Sequence, residues 1–412
     1  MGTDAAGLAS LSESWKRELE RADLVAAPGR LLPELRTWLG DRQAATELLA
    51  SDRPAELLPA LQQALAEQQR VILLASGDPL WFGLGRLLLQ RFGAERLRFH
   101  PAPTSLQLAF ARLGRPWHDA AWVSLHGREP EALAAALARR PSALAVLPDP
   151  GRGGAAEVRA ILRASGLDAA YAVWLFERLG HPRERVLALA ADDPLPPDLD
   201  PLHLVVLIAA PPPLPDPASL PLFGLADGLW LQHADHPGLM TKREVRIQLL
   251  ADLALPERGV LWDVGAGVGS VGLEALRLRP GLALWAVDRR PGAKGLIEAN
   301  AARLCVRPAA VVEAAAAAVL PAWPAPDRVL LGGGGRDRRA LLALVLERLR
   351  PGGVVVVPLA SPEGLAELRP QLEAAGLAVA LSQHQSWRGS PLADGTRLVP
   401  QNPVFVLSAQ AP

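Results

Sequence analysis

From residue 258 to the carboxyl end, short apolar runs alternate with longer amphipathic stretches. "GVLWDVG" (259–265) predicts a strand and "SVGLEALRLR" (270–279) a helix; "LALWAVD" (282–288) and "GAKGLIEANAARL" (292–304) repeat the pair. The series continues through "AAVVEA", "DRVLLGG", "RDRRALLALVLERLR" and "GGVVVVPL", then a further helix and the strands "LAVALSQHQ" and "NPVFVLSA". Such alternation predicts an α/β domain with a mostly parallel sheet and helices on both faces, its final strand antiparallel. The amino-terminal part is also α/β but differently built. "QQRVILLASGDPLWFGLGRLLLQRFG" (68–93) reads as a buried strand ending at Ser76, a tight turn and a helix. "DAAWVSLHGR" and "SALAVLPDP" are two more strand-then-loop segments, followed by the helix "GGAAEVRAILRASG" and the strand "LHLVVLIA".

Proline separates the two parts. "AAPPPLPDPASLPLFG" (209–224) supports neither a regular helix nor a central strand and reads as a semi-rigid linker. The expected organisation is therefore 1–208, a linker at 209–224, and 225–412. A length of 412 residues, half of them apolar, suffices for two cores.

The strand-to-helix junction "VLWDVGAGVGSVGLEAL" (260–276) is the densest signal for a ligand. Gly267, Gly269 and Gly272 satisfy the dinucleotide fingerprint, with Asp288 at the distance expected of a ribose-binding acid. Asp263 argues against a dinucleotide, because a carboxylate at the strand end would repel a pyrophosphate and suit a sulfonium and an ammonium group. Asp263, Gly265, Gly267 and Gly269 form Asp-x-Gly-x-Gly-x-Gly, which resembles the first motif of Rossmann-like class I methyltransferases. The expected cofactor is S-adenosyl-L-methionine.

Charge and cysteine narrow the field. Lys plus Arg and Asp plus Glu each number 43, so no broad field attracts nucleic acid or an anionic membrane. The single cysteine, Cys305, allows no internal disulfide or cysteine metal motif, and His233, Asp235 and His236 lack a further ligand; no metal is expected. The start "MGTDAAGLASLSES" lacks the features of a signal peptide, and no apolar run is long enough for a membrane span. The expectation is a cytoplasmic protein.

The stretch 76–128, from "SGDPLWFGLG" through "PAPTSLQ" to "SLHGR", resembles the tetrapyrrole methylases, in particular those acting at carbon 5 of precorrin-6. "HPGLMTKREVRIQLLADLAL", "WDVGAGVGSVGLEA" and "QNPVFVLS" resemble the methyltransferases that act at carbon 15 and remove a carboxylate. Both halves in this order resemble the fused C5,15-methyltransferase (decarboxylating) family of cobalamin biosynthesis. The resemblance implies methylation of precorrin-6B, or its cobalt form, at C5 and C15 with loss of the C12 acetate carboxylate, giving precorrin-8. It also implies a homo-oligomer and a tetrapyrrole as the partner molecule. The alternative is a methyltransferase for another small molecule, with a non-catalytic amino-terminal scaffold.

Residue by residue, the resemblance places the donor against Thr241, Asp263, Gly265, Ala266, Gly267, Val268, Gly269, Asp288 and Ala316, and against Ser76, Gly77 and Asp78 in the first half. Thr241 and Glu244 also have the spacing of a capping box. Gly333 is expected to border the macrocycle, and Arg243 and Arg397 to meet its carboxylates, with Arg246 and Arg388 as further candidates. No catalytic residue is assigned. Three departures stand out: the chain starts where the family's first strand would already have ended; Ala314 and Ala315 replace a family Gly-Asp pair; and Pro103 and Thr104 replace Gly and Ser.

Overall fold

The computed structural model describes residues 1–40, 46–81, 84–126, 130–190, 193–212, 214–233, 238–332, 335–392 and 395–412. They fall into two compact units: Met1–Ala132, Ser142–Val158 and Ala172–Ile208 in the first, Leu133–Pro141, Arg159–Tyr171 and Ala209–Pro412 in the second.

In the first unit, the strands Glu47–Ala50, Leu24–Ala27 and Val71–Leu73 form a parallel sheet with Leu24–Ala27 at its centre. All four residues of that central strand are buried, as expected where a sheet is covered on both faces. The two-residue strand Gly2–Thr3 runs parallel to Ala75–Ser76. A five-stranded mixed sheet follows, ordered 121–124, 143–147, 203–209, 171–177, 185–189.

The second unit begins with α1 (Arg243–Asp252) and β1 (Arg258–Val264), followed by α2 (Ser270–Leu278), β2 (Gly281–Asp288), α3 (Ala293–Arg303) and β3 (Ala310–Glu313). Next come β4 (Arg328–Leu331), α4 (Arg338–Arg348), β5 (Val354–Leu359), α5 (Pro362–Ala374) and β6 (Ala378–His384). A hairpin of β7 (Trp387–Leu392) and β8 (Gly395–Pro400), which the apolar pattern does not predict, precedes β9 (Val404–Gln410). The seven-stranded sheet has the order β3-β2-β1-β4-β5-β9-β6, and β9 is antiparallel to both neighbours, as expected from sequence.

Period-two alternation along β1 divides its side chains between two cores. Leu261 packs with Leu273, Leu284 and Ile297, whereas Trp262 packs with Val329, Leu342 and Leu368 on the opposite face. The order reverses between β1 and β4, which stay paired to their ends while the helices that follow, α2 and α4, pack on opposite faces, leaving the crevice where open α/β sheets hold ligands.

Candidate functional site

The loop from β1 to α2 is shaped by its glycines. Gly265, Gly267 and Gly269 have φ of +78°, +60° and +79°, a region in which any other side chain is strained. The amides of Gly265 and Ala266 both donate to the Val287 carbonyl, at 2.8 and 3.1 Å, tying the loop to the end of β2. The Gly267 amide donates to Asp288 Oδ2 at 2.8 Å, and Asp288 Oδ1 accepts the Arg290 amide at 3.0 Å. Asp288 thus braces the loop and points its carboxylate at the crevice with lone pairs to spare.

A cavity of about 340 Å³ opens there, lined by Val264 and Gly265 from the first strand end, Val287 and Asp288 from the second, Ala314–Ala317 beyond β3, and Gly332 beyond β4. Its volume lies in the range of small-molecule sites. Arg289, Arg290, Gly335, Asp337 and Leu341 complete the lining. Asp288 offers hydrogen-bond acceptors for a ribose diol, and the four alanines offer a small apolar surface for a flat base. An S-adenosyl-L-methionine molecule therefore finds suitable chemistry here. Gly265, Asp288 and Ala316 line the cavity, and the alanines at 314–317 carry no side chain able to hydrogen-bond a base.

Several expectations are corrected. Asp263 does not line the cavity: it is 2% exposed, and its Oδ2 accepts the Gly272 amide at 3.2 Å in the first turn of α2. Burial raises its pKa to about 7, opposed by the Gly272 hydrogen bond and reinforced by the charge of Asp288. In this structure the carboxylate is spent on the helix start. Gly272 is glycine for packing, since a Cβ there would lie 2.8 Å from that same oxygen. Val268 is also turned away; its side chain is 1% exposed in the core, and its carbonyl accepts from Asn300 Nδ2 at 3.0 Å.

No capping box forms at Thr241. Lys242 is the N-cap and contributes no side-chain bond; the Arg243 amide donates instead to Asp227 Oδ1 at 3.0 Å, and Glu244 pairs with Arg388. The Thr241 carbonyl accepts from Arg246 Nη1 at 2.6 Å. The guanidinium of Arg246 is fully buried, bonded to Glu274 Oε1 at 2.7 Å and to the Leu225 carbonyl. Arg388 is held by Glu244 at 2.7 Å and by Asp227 at 2.8 Å. Neither is free to bind a substrate. Arg243 Nε donates to the Gly224 carbonyl at 2.6 Å, and Arg397 sits on β8; neither lines the cavity. Gly333, Asp235 and His236 lie outside the described residues. Among the described residues no acidic, histidine or cysteine cluster could hold a metal.

In the first unit, Ser76, Gly77 and Asp78 share one turn. Gly77 has φ of +65° and approaches Thr104, whose Cα would be 3.2 Å from a Cβ at that position. Asp78 Oδ1 accepts the Leu80 amide at 2.9 Å, and Ser76 Oγ accepts from Arg30 Nη2 at 3.1 Å. Thr104 and Gln107 form a capping box on the helix Ser105–Leu113, which gives Thr104 a structural use. The residues that sequence reasoning missed are Arg289 and Arg290. Their signal was available in "VDRRPG", two cations directly after the strand-end acid.

Residues 6–193 match the family model described as tetrapyrrole (corrin/porphyrin) methylases, and residues 232–411 match the precorrin methyltransferase domain. A precorrin-6Y C(5,15)-methyltransferase [decarboxylating] from a Sinorhizobium species is 31% identical over 364 residues, covering 86% of this chain and 83% of the relative. A protein of the same name from Mycobacterium tuberculosis is 30% identical over 421 residues, 98% of this chain and 97% of that one. A probable cobalt-precorrin-6B C(15)-methyltransferase (decarboxylating) from Pyrobaculum aerophilum is 37% identical over 174 residues, 42% of this chain and 89% of its own length.

Proposed function

Because the chain belongs to the precorrin-6Y C5,15-methyltransferase (decarboxylating) family, we propose that it methylates precorrin-6B, or its cobalt form, at two carbons. On this reading residues 1–208 serve carbon 5, and residues 225–412 serve carbon 15 and release the C12 acetate carboxylate as carbon dioxide. The observation that carries the division of labour is the match of two separate methyltransferase families to successive halves of one chain, the second also resembling a freestanding C15 relative over 89% of that relative.

S-adenosyl-L-methionine, when bound, supplies an electrophilic methyl group. In the second unit Gly265 to Gly269 let the backbone approach the donor closely, Asp288 orients its ribose, and Ala314–Ala317 exclude water from its base. The conjugated, electron-rich macrocycle is its own nucleophile, so no strong protein base is required. The protein's contribution is to hold the accepting carbon in line with the methyl group, a proximity effect of about 7 to 11 kcal/mol. Decarboxylation needs the acetate carboxylate stripped of water and turned so that the released electron pair passes into the ring.

The test is incubation of the full chain with precorrin-6B, then its cobalt form, and isotopically labelled donor. Two methyl groups gained and one carbon dioxide released are expected. Methylation at carbon 15 alone would assign the first half a scaffold role, and no methylation of either form would overturn the reading. No described helix is long and apolar enough to cross a membrane. The proposal further takes the protein as a cytoplasmic homo-oligomer, a state that light scattering reads directly.

A further inference from the structure

A substrate bearing many carboxylates needs cations near the transferred methyl, and the arginines singled out by sequence do not supply them. Arg246 and Arg388 are consumed by buried or half-buried carboxylates, and Arg243 by a carbonyl. The donor cavity has two guanidinium groups of its own, on adjacent residues just past the strand-end acid. Arg289 is 70% exposed, and its nearest carboxylate, Asp337, is 3.8 Å away and equally exposed, an ion pair of little strength. Arg290 is 35% exposed and lies 3.5 Å from Asp288 Oδ2, beyond ordinary hydrogen-bond distance. Asp288 already accepts two backbone amides and so does not depend on that side chain. Neither guanidinium makes a side-chain hydrogen bond among the described residues. A Cβ on Gly267 would be 3.8 Å from Arg290 Nη1, and one on Gly335 3.9 Å from Arg289 Nη2. The two forks therefore border both the glycine loop of the donor and the loop beyond β4.

We propose that Arg289 and Arg290 seat peripheral carboxylates of the tetrapyrrole at the mouth of the donor cavity, an assignment that rests on the functional reading above. A planar fork matches a carboxylate with two parallel hydrogen bonds and thereby fixes orientation as well as position, which a lysine ammonium does not. Held in this way, the ring presents its carbon toward the methyl group.

The experiment uses the full chain with Arg289→Ala, Arg290→Ala and the double variant, assayed on precorrin-6B with both products resolved. Each single change is expected to raise KM for methylation at carbon 15 about tenfold, and the double change more, with kcat falling as the ring loses its fixed orientation. Lysine at either position is expected to recover part of the loss, and raising the salt concentration to raise KM in the parent chain but scarcely in the double variant. Donor affinity and methylation at carbon 5 should hold, the latter reporting an intact fold in the same molecule. An unchanged KM in the double variant overturns the assignment, as does a weakened donor affinity with KM otherwise untouched, which would make the pair a cradle for the donor's base. Failure of the parent chain to methylate carbon 15 is a different result: it removes the functional reading, and this assignment with it.

Discussion

Replacing Asp263 by Asn separates the role seen in the structure from the one its position in the sequence suggests. Its carboxyl group is buried at the end of β1, and its pKa is raised from the ordinary 3.8 to about 7, chiefly by desolvation. Well below pH 3.8 the group is protonated whether the chain is folded or not. As pH rises toward 7 the unfolded chain releases the proton while the folded chain retains it, so stability falls across this window and levels off above it. The interval between 3.8 and about 7 corresponds to a loss on the order of 4 kcal/mol. Asparagine retains an oxygen for the Gly272 amide and does not ionise, so the variant lacks this slope. Urea unfolding followed by tryptophan fluorescence suits the measurement, since Trp262 is fully buried next to Asp263 and packs edge-on against Trp323 at 5.8 Å. The stability difference between parent and variant should shift by several kcal/mol between pH 4 and pH 8, in favour of the variant at the higher pH. A difference independent of pH would refute the reasoning. Donor affinity lost equally at every pH, with no change in stability slope, would instead place the carboxylate against the sulfonium.

Three other outcomes follow from the same geometry. Arg246→Ala leaves Glu274, itself fully buried, with the Gly224 and Leu225 amides but no cation, and should cost about 3 to 5 kcal/mol in denaturant unfolding. Asp288→Ala removes both the anchor of the Gly267 amide and a carboxylate that lines the cavity; calorimetry should show donor binding in the second unit weakened at least about tenfold, with carbon 5 methylation retained. Gly272→Ala forces a methyl group to 2.8 Å from Asp263 Oδ2 and 2.9 Å from Leu284 Cδ1, and should lower stability by about 1 to 3 kcal/mol, visible as a reduced Tm.

The sheet of the second unit was legible because its strands are covered on both faces and so read as unbroken apolar runs, bounded by glycine, proline or charge. The hairpin β7 to β8 was not: "WRGSPL" and "GTRLVP" leave Trp387 and Leu398 more than half exposed, so no buried face imposes a pattern. The ion pair of Arg246 with Glu274 was half visible. A lone acid within "SVGLEALRL", on a helix whose first seven residues are all buried, must have a partner, but its partner 28 residues earlier could be found only by folding the chain.

Of the candidate site, what could be read was backbone and what could not was charge. Three glycines with positive φ are demanded by local conformation, and Asp288 by its place at a strand end; both properties are carried by position along the chain. Whether a carboxylate faces solvent, a ligand or an amide depends on which of two neighbouring surfaces its rotamer meets. Spacing does not encode that choice. Asp263 turns toward Gly272, a residue without a side chain, because that absence leaves both room and an unpaired amide in the first helical turn. The preference for a sulfonium donor over a dinucleotide therefore does not rest on Asp263. It rests on family membership and on a cavity lined by Ala314–Ala317, in which Asp288 is the only strand-end carboxylate among the described lining residues. The same contrast supports the proposed anion-binding role: the arginines close to family motifs are held tightly, and the pair at the cavity only by long ion pairs. A charged side chain serves a ligand best where the protein holds it weakly, and at this crevice Arg289 and Arg290 have only long ion pairs, of 3.8 and 3.5 Å, whereas Arg246 and Arg388 are held by carboxylates at 2.7 Å.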